Sequence, residues 1–577
     1  MPCRFHDFAN RLMPCAATQS QLGMTDAIEL VDESDSGGED NGEPQNIIVA
    51  SRTAENNNTP LVLVPSNITG NAMPVVYMPY PLYLNLTRLP PAETTVEPWR
   101  GDQLIRYHGT RRYLYNAVKN ALKAAQVVKT SKRNWNLFWG RHLDVTQYAA
   151  LVPGQKVNHF PGSLELGRKD KLCTNILRMQ RKFTGAFYQI IPETFVTGAK
   201  ECKPFMAALA SSSKALWILK PPNQCCGRGI KIISGGSDYT YEPDKRYVAQ
   251  RYIMSPYLIN GFKFDMRLYV LVTSFDPLRV YLFDNGLVRF CTHKYSTSTK
   301  DVANRFGHLT NYSVNKKNKA AFQSNQDAAA DGEGSKWSYQ ALQAYFETQG
   351  LDPTAIHLDI AALIVKTLVC VESPLVASLN KQAKHVNACF ELFGFDVLLD
   401  ANLRPWLLEV NVFPSMSSSS PMDKRIKSIL VCDTFQLVGV AAVDMGAGDL
   451  KKSTPKPRRS VKPNRQDSTE SSVTAEDIET QWIQALEDEA SRLGHFERIF
   501  PTPDTIKFLD FFEIPRPGNL VYAKHLQMKT TTPNQLDGGR PSKGMPNAAV
   551  SAKPTTRQRS FSRKFSHAKT ASLSYNE

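Results

Sequence analysis

The stretch that decides the fold of this chain runs from Phe390 to Ser415 and reads FELFGFDVLLDANLRPWLLEVNVFPS. Two apolar runs, Phe393–Leu399 and Trp406–Val412, flank a polar turn that extends from Asp400 to Pro405. Short apolar runs separated by turn residues are typical of paired β-strands. The stretch therefore predicts a β-hairpin.

This hairpin places three oxygen donors together. Pairing that is symmetric about the turn puts Asp396 opposite Glu409 and Gly394 opposite Asn411. Because side chains alternate along a strand, Asp396, Glu409 and Asn411 share one face. Carboxylates in apolar surroundings are costly unless they are paired or bound to a metal, and oxygen donors of this kind suit Mg²⁺. The alternative is an edge hairpin whose carboxylates face solvent.

Composition limits the class of protein. The 577 residues include 69 Lys and Arg against 54 Asp and Glu, a net charge of +15. This charge favours an acidic protein, an anionic membrane or nucleic acid as a partner, but the lack of a recognition motif argues against nucleic acid. The ten cysteines have no CxxC spacing, as is typical of a reduced intracellular chain. The N-terminus lacks the apolar core of a signal peptide, and the apolar run 361–371 contains Lys366, so we expect no membrane insertion.

Charge and proline content predict the domain boundaries. Residues 26–43 hold eight acidic residues and no basic one, whereas residues 451–465 hold seven basic residues and three prolines. The predicted parts are a disordered acidic region (1–95), an N-terminal lobe (96–195), a central lobe (196–300), a C-terminal lobe (301–440), a basic linker (441–473), an amphipathic helical segment (474–515) and a disordered basic tail (516–577). The amphipathic segment either docks on the body or binds a partner.

A strand, a glycine turn and a second strand predict a phosphate-binding loop. Lys220 ends the predicted strand Lys214–Lys220, and Gly227 and Gly229 precede the strand Ile230–Ile233. Backbone N–H groups of such a turn can lie over phosphates, and the lysine can reach one of them. The alternatives are an ordinary hairpin turn and a solvated lysine.

Two further strands carry candidate nucleotide contacts. The exit of the predicted strand Tyr247–Ile253, at Gln250–Ile253, can meet an adenine edge, although a plain core strand is the alternative. Lys263, Asp265 and Arg267 alternate with apolar residues and therefore share one strand face. That face is either solvated or beside a nucleotide.

A second hairpin is predicted from Arg279–Phe283 and Gly286–Cys291 around Asp284-Asn285-Gly286, a strong turn signal. Arg289 on its second strand either grips a small-molecule carboxylate with two hydrogen bonds or lies on the surface. The segment that follows, His308–Ser313, is either a capped loop or part of a site, and it holds the small polar residues Thr310, Asn311 and Ser313.

Apolar residues at helical spacing predict the helices. These are Tyr107–Val128, Leu172–Lys182, Trp337–Thr348 (which follows Lys336), Pro353–Val371, Asp423–Leu437 and residues 474–493.

Taken together, residues 100–440 resemble the tubulin–tyrosine ligase-like family, and most closely its polyglutamylase branch. A weaker likeness extends over Gly494–Pro503. The motifs that carry the resemblance occur in the family's order: Trp135–Trp139, Asn158–Ser163, Gly167–Asp170, Trp217–Pro221, Gln250–Ile253, Lys263–Arg267, Gly286–Phe290, His308–Lys317, Gly394–Asp396 and Glu409–Asn411.

The resemblance implies an α+β, ATP-grasp fold with an additional N-terminal α/β lobe and disordered tails. It implies that Asp396, Glu409 and Asn411 hold Mg²⁺, that Arg289, Ser313 and Lys336 hold the incoming glutamate, and that Lys263 and Arg267 are catalytic. The ATP contacts that it implies are Lys220, Cys226, Gly227, Arg228, Gly229, Gln250, Arg251, Tyr252, Ile253, Lys263, Phe264, Asp265, Thr310 and Asn311.

The implied reaction is an ATP-dependent ligation of free L-glutamate to glutamate γ-carboxyl groups in the acidic tails of tubulin or a similar acidic protein, through an acyl phosphate. We expect a monomer in the cytoplasm and on the cytoskeleton, with the cilium or basal body as a further location. The alternatives are a glycylase or another amino-acid ligase on the same fold, and a catalytically impaired microtubule-binding protein.

One position departs from the family. Arg or Lys usually precedes the first glycine of the phosphate loop, whereas this chain has Cys226 there and Arg228 two places later. Whether Arg228 supplies the missing charge is open. If it does, Arg228→Ala weakens ATP binding.

Overall fold

The fold is α+β, with helices packed on several β-sheets. The computed structural model describes residues 63–64, 74–88, 104–183, 186–198, 202–237, 239–240, 242, 245–298, 301–323, 331–443, 445 and 474–531. The acidic segment 26–43, the basic segment 451–465 and residues 532–577 lie outside these ranges, and so do the predictions made for them.

The strands vary widely in length, and β12 and β13 are the longest described. In chain order they are β1 (Leu63–Val64), β2 (Val75–Val76), β3 (Arg106–Gly109), β4 (Val128–Lys129), β5 (Leu137–Trp139), β6 (Lys156–Val157), β7 (Thr194–Val196), β8 (Leu216–Lys220), β9 (Lys231–Ser234), β10 (Val248–Arg251), β11 (Leu258–Ile259), β12 (Phe262–Phe275), β13 (Leu278–Phe290), β14 (Lys336–Ser338), β15 (Glu391–Leu399), β16 (Pro405–Asn411) and β17 (Phe496–Phe500).

The α-helices of the described residues include most of those predicted. They are α1 (Asn116–Ala124), α2 (Val145–Ala149), α3 (Leu164–Gly167), α4 (Lys169–Lys182), α5 (Lys203–Ser211), α6 (Arg305–His308), α7 (Tyr312–Asn315), α8 (Tyr339–Thr348), α9 (Pro353–Gln382), α10 (Pro421–Val438), α11 (Ala475–Ala490) and α12 (Pro517–Thr531). The predicted helix Tyr107–Val128 is wrong at both ends, because β3 and β4 occupy them and pair with each other in parallel.

The largest sheet carries the predicted hairpin. Its strand order is β14-β13-β12-β15-β16, with β11 added beside β12 and β17 beside β13. Within the hairpin, Gly394 pairs with Asn411 and Asp396 with Glu409, which confirms the predicted register. A bulge after Asp396 shifts the pairing beyond it by one residue. Every residue of β15 is buried, so the solvent-exposed alternative is wrong for Asp396, whereas Glu409 on the edge strand β16 is half-buried.

The second predicted hairpin is wrong. Asp284, Asn285 and Gly286 lie inside the continuous strand β13, whose turn to β12 is at Asp276-Pro277. The register between β12 and β13 shifts at these polar residues. Asn285 Oδ1 accepts a hydrogen bond from Tyr339 N. A Cβ on Gly286 would lie 2.6 Å from Arg267 O. The glycine is therefore needed for close strand approach and not for a turn.

Two smaller sheets complete the body. One is antiparallel, with the order β7-β10-β8-β9, and the other is parallel, with the order β4-β3-β5-β6. In the large sheet, β12 pairs with β15 and β13 pairs with β14. Both strands therefore belong to the same lobe as the hairpin β15–β16. The predicted boundary at residue 300 is therefore wrong for these two strands.

Helix α9 packs in the main hydrophobic core. By length and composition it is the one described helix that is apolar enough to cross a membrane, and 72% of its most apolar window is buried inside the fold. Burial of this kind is typical of a core helix.

Residues at both ends of the chain also join the body. Val76 N donates to Val440 O at 2.8 Å and Met78 is fully buried, so the prediction of disorder across 1–95 is wrong for residues 74–88. Tyr522 on α12 is fully buried as well, which makes the predicted disordered tail wrong for Pro517–Thr531. In both segments, burial of apolar side chains stabilises the contact with the body.

Helix α11 docks on the body through a buried ion pair. Glu489 Oε2 lies 2.9 Å from Arg279 Nε and accepts hydrogen bonds from Thr273 Oγ1 and Tyr281 OH. A buried carboxylate needs partners of this kind. The docked alternative for the amphipathic segment is therefore confirmed.

Candidate functional site

Two rows of charged side chains cross the large sheet on one face. In the first row, Lys336 lies opposite Arg289 on the neighbouring strand, and Arg289 lies opposite Asp265 on the next strand. In the second row Arg267 pairs with Asp396, which pairs with Glu409. Arg267 follows Asp265 by two residues on the same strand, so the two rows share a face.

Asp265 and Asp396 are held by two arginines. Arg289 contacts Asp265 with Nε at 2.8 Å and Nη2 at 2.5 Å, and its Nη2 also lies 2.9 Å from Asp396 Oδ2. Arg267 donates to Asp396 from Nε at 2.5 Å and Nη2 at 3.1 Å. Burial alone would raise the pKa of Asp396. The positive charges of Arg267 and Arg289 outweigh that effect and hold its pKa well below its usual range.

Glu409 and Asn411 lie beside Asp396 at the edge of the sheet. Lys169 Nζ is 2.9 Å from Glu409 Oε2, and Asn411 Nδ2 donates to Gly394 O at 3.3 Å. Although burial favours the neutral lysine, the Glu409 carboxylate raises the pKa of Lys169. Two carboxylates and one amide on adjacent strands form a donor set that fits Mg²⁺, which takes its other ligands from water and phosphate.

A cleft opens above these rows. Asp396 and Glu409 line it, and so do eleven of the fourteen predicted ATP contacts: Lys220, Cys226, Gly227, Gln250, Arg251, Tyr252, Ile253, Lys263, Asp265, Thr310 and Asn311. The cleft therefore lies between the β7–β10 sheet and the large sheet.

The other three predicted ATP contacts lie outside the lining. Arg228 is exposed and its Nη2 is 3.6 Å from Cys225 Sγ. Gly229 has a φ of +66°, which favours glycine, and lies against Pro221. Phe264 points to the opposite face of β12 and packs on Phe290, with ring centroids 5.5 Å apart.

Two buried lysines point into the cleft from opposite sheets. Lys220 Nζ donates to Gln250 Oε1 at 2.8 Å, and burial lowers its pKa to about 8. Lys263 Nζ donates to Tyr252 OH at 2.9 Å and to His308 O at 3.0 Å, and burial lowers its pKa as well. Buried cations without a carboxylate at hydrogen-bond distance are costly, and an anionic ligand such as a phosphate offsets that cost.

The residues predicted to hold glutamate fall into two places. Lys336 is the cross-strand neighbour of Arg289, and its Nζ donates to Ser419 Oγ at 2.8 Å and Asp423 Oδ2 at 3.3 Å. Ser313 Oγ instead donates to Cys226 O at 3.2 Å, next to the loop between β8 and β9. Lys336 and Arg289 are therefore neighbours, whereas Ser313 lies with the loop.

The prediction of site residues missed Lys169, Gln224 and His308, which also line the cleft. Lys169 Nζ bridges Glu409 to the loop through Gln224 O, at 3.0 Å. Lys169 belongs to the motif Gly167–Asp170, which carries part of the family resemblance, and that motif is the signal that identifies it.

Comparison with known proteins identifies the family of this chain. Residues 148–446 match the sequence profile of the Tubulin-tyrosine ligase family. The chain belongs to this family. Three relatives share similar identity with it: human Tubulin monoglutamylase TTLL4 (38% over 457 residues), human Tubulin polyglutamylase TTLL5 (34% over 472 residues) and Caenorhabditis elegans Tubulin polyglutamylase ttll-4 (37% over 398 residues).

The aligned regions cover 74%, 74% and 65% of this chain, respectively. They cover 37%, 35% and 64% of the relatives, so the chain spans less than two thirds of the length of each of these family members.

Proposed function

We propose that this family member is an ATP-dependent ligase that joins free L-glutamate to glutamate γ-carboxyl groups in the acidic tails of tubulin. The observation that carries the proposal is the pairing of Asp396 with Glu409 at one end of a cleft that also contains Lys220 and Lys263. Relatives that are named tubulin monoglutamylase or polyglutamylase support the choice of substrate.

ATP would lie between the two antiparallel sheets, as in an ATP-grasp fold. Lys220 and Gln250 approach from the smaller sheet, and Lys263 and Asp265 from the larger one. Asp396, Glu409 and Asn411 would hold Mg²⁺. Arg267, which contacts Asp396 and does not line the cleft, acts as a positioning residue for that carboxylate.

The chemistry requires activation of an acceptor carboxylate. When bound, ATP would supply the γ-phosphoryl group that turns this carboxylate into an acyl phosphate, with ADP as the leaving group, and Mg²⁺ would neutralise the phosphate charge. Lys220 and Lys263 hold positive charge where phosphate oxygens would lie. Arg289 and Lys336 would bind the carboxylates of free glutamate and leave its amine to attack the acyl carbon. The C–N bond forms, the amine loses a proton, and phosphate leaves.

A basic surface supports an acidic acceptor. Residues 104–143 contain nine basic and no acidic residues. Eight of the nine are exposed: Arg111, Arg112, Lys119, Lys123, Lys129, Lys132, Arg133 and Arg141. Such a surface attracts a polyanionic tail at a distance. We propose that the protein acts as a monomer on microtubules of the cytoplasm, and on those of the cilium or basal body.

The test is incubation of the protein with ATP, tubulin and labelled glutamate or glycine, followed by mass spectrometry of the tubulin tails. We expect glutamate to be incorporated, Glu409→Gln to abolish incorporation, and Glu347→Gln, at an exposed carboxylate on α8, to preserve it. Incorporation of glycine would instead identify a glycylase. Microtubule binding without incorporation of either would identify an impaired, microtubule-binding protein.

A further inference from the structure

Two adjacent thiols lie in the loop that joins β8 to β9. Cys225 and Cys226 are both half-buried and are not joined in a disulfide. Cys226 lines the cleft, next to Gly227. Oxidation-sensitive cysteines are typically accessible and lie next to a second thiol that can resolve the first product.

The surroundings activate Cys225. The Cys226 thiol donates a hydrogen bond to it, the Arg228 guanidinium lies 3.6 Å from its sulfur, and together they lower the pKa of Cys225. Elsewhere in the chain, burial raises the pKa of Cys173 to about 11 and that of Cys291 to about 12. Oxidants react with the thiolate, so the loop pair is a better target than these two buried thiols.

The same loop is hydrogen-bonded to the segment 305–313, part of which also lines the cleft. Ser313 Oγ donates to Cys226 O at 3.2 Å, and Arg305 Nη2 donates to Gly227 O. A Cβ on Gly227 would lie 2.9 Å from Asn311 Oδ1. The backbone at Cys226 and Gly227 cannot move without disturbing these contacts.

We propose that Cys225 and Cys226 form a reversible oxidation site, in which a hydroperoxide converts the pair to a disulfide and thereby weakens nucleotide binding. The Cys225 thiolate attacks one oxygen of the hydroperoxide, whose O–O bond breaks. Cys225 becomes a sulfenic acid, and hydrogen peroxide is reduced to water. The Cys226 sulfur then attacks the sulfenic sulfur, the S–S bond forms, and the Cys226 proton leaves with the hydroxyl group as a second water.

The disulfide strains the backbone that carries it. The peptide bond fixes adjacent Cα atoms about 3.8 Å apart, whereas disulfides usually join Cα atoms about 4.4–6.8 Å apart. Closure of the ring therefore twists the backbone at Cys225 and Cys226, withdraws the Cys226 carbonyl from Ser313 and displaces the Gly227 edge of the cleft. Strained disulfides are also readily reduced, so a thiol reductant restores the loop.

The test uses the full chain and rests on the nucleotide cleft of the proposed function. Isothermal titration calorimetry measures ATP affinity before peroxide, after peroxide and after dithiothreitol, and peptide mass mapping locates the oxidised residues. We expect binding to weaken about tenfold on loss of the loop's hydrogen bonds and to recover on reduction. Cys225→Ser keeps the affinity of the reduced protein and removes the response to peroxide.

Two further variants separate the steps. In Cys226→Ser, oxidation stops at the sulfenic acid of Cys225, which dimedone traps. Cys202→Ser, at a half-buried cysteine outside the loop, retains the full response. Unchanged affinity in protein whose loop pair is fully oxidised, or oxidation that spares the pair, overturns the inference and leaves the proposed function standing. Failure of the reduced protein to bind ATP refutes the proposed function, and the inference falls with it.

Discussion

Arg289 is shared between two carboxylates and would therefore link the proposed glutamate site to the proposed metal site. Arg289 contacts Asp265 twice and Asp396 once, so the guanidinium that we propose for the glutamate carboxylate is engaged in ion pairs. Mg²⁺ at Asp396 competes for the same oxygen and frees part of Arg289. We therefore predict that Mg²⁺ with ADP raises the affinity for glutamate.

The size of this effect follows from the contact that is lost. A hydrogen bond to a charged group contributes about 1.5–3 kcal/mol, and each 1.4 kcal/mol is a factor of ten in a dissociation constant. Because Arg289 keeps its two contacts with Asp265, the lower end of this range applies. The affinity for glutamate should rise about tenfold, within the usual range of coupling between two sites.

The assay is calorimetric titration of glutamate into the protein with and without Mg²⁺ and ADP. Asp396→Asn removes both the metal ligand and the charged partner of Arg289, so glutamate affinity in this variant should no longer depend on Mg²⁺. Glu347→Gln, at an exposed carboxylate, should behave as the unmodified protein does. Equal glutamate affinity in both conditions, or coupling that survives in Asp396→Asn, would refute the reasoning.

Three other predictions concern charge and packing. Burial lowers the pKa of Lys220 to about 8, so the lysine loses its charge as the pH rises through this value. ATP affinity should fall about tenfold between roughly pH 7 and pH 9, and a similar fall in Lys220→Gln would contradict this. Gly286→Ala places a Cβ 2.6 Å from a backbone oxygen and should cost about 2 kcal/mol in urea unfolding, whereas unchanged stability would show that the strands can separate. Reversing the charge of Lys132 and Arg133 should weaken co-sedimentation with microtubules at low salt and have little effect at high salt; equal loss at both would point to misfolding.

Much of the carboxylate end of the candidate site could be predicted from the hairpin sequence. The register of Asp396 and Glu409 followed from the symmetry of two apolar runs about a turn, because a one-residue slip would have exposed an entire apolar face. The alternation of Lys263, Asp265 and Arg267 likewise predicted a shared face. Strand periodicity is a local property, and here the tertiary fold preserved it.

The partners across strands could not be predicted in the same way. Nothing local to Arg289 indicates that it pairs with Asp265 and Asp396, because those contacts depend on sheet order. Asp284-Asn285-Gly286 predicted a turn from local preference, but the close approach of β12 determines the conformation there. Tertiary packing outweighed the turn preference at this position.

Strand β17 has a consequence for any shortened form of the chain. It pairs with the Val280–Phe283 part of β13, although it comes from beyond residue 446, where the match to the family ends. A chain cut at that point would leave this part of β13 as an open sheet edge, and open edges invite pairing with other molecules. We therefore expect the pairing of β17 with β13 to protect this edge from self-association, and a shortened form that keeps the sheet intact should extend past Phe500.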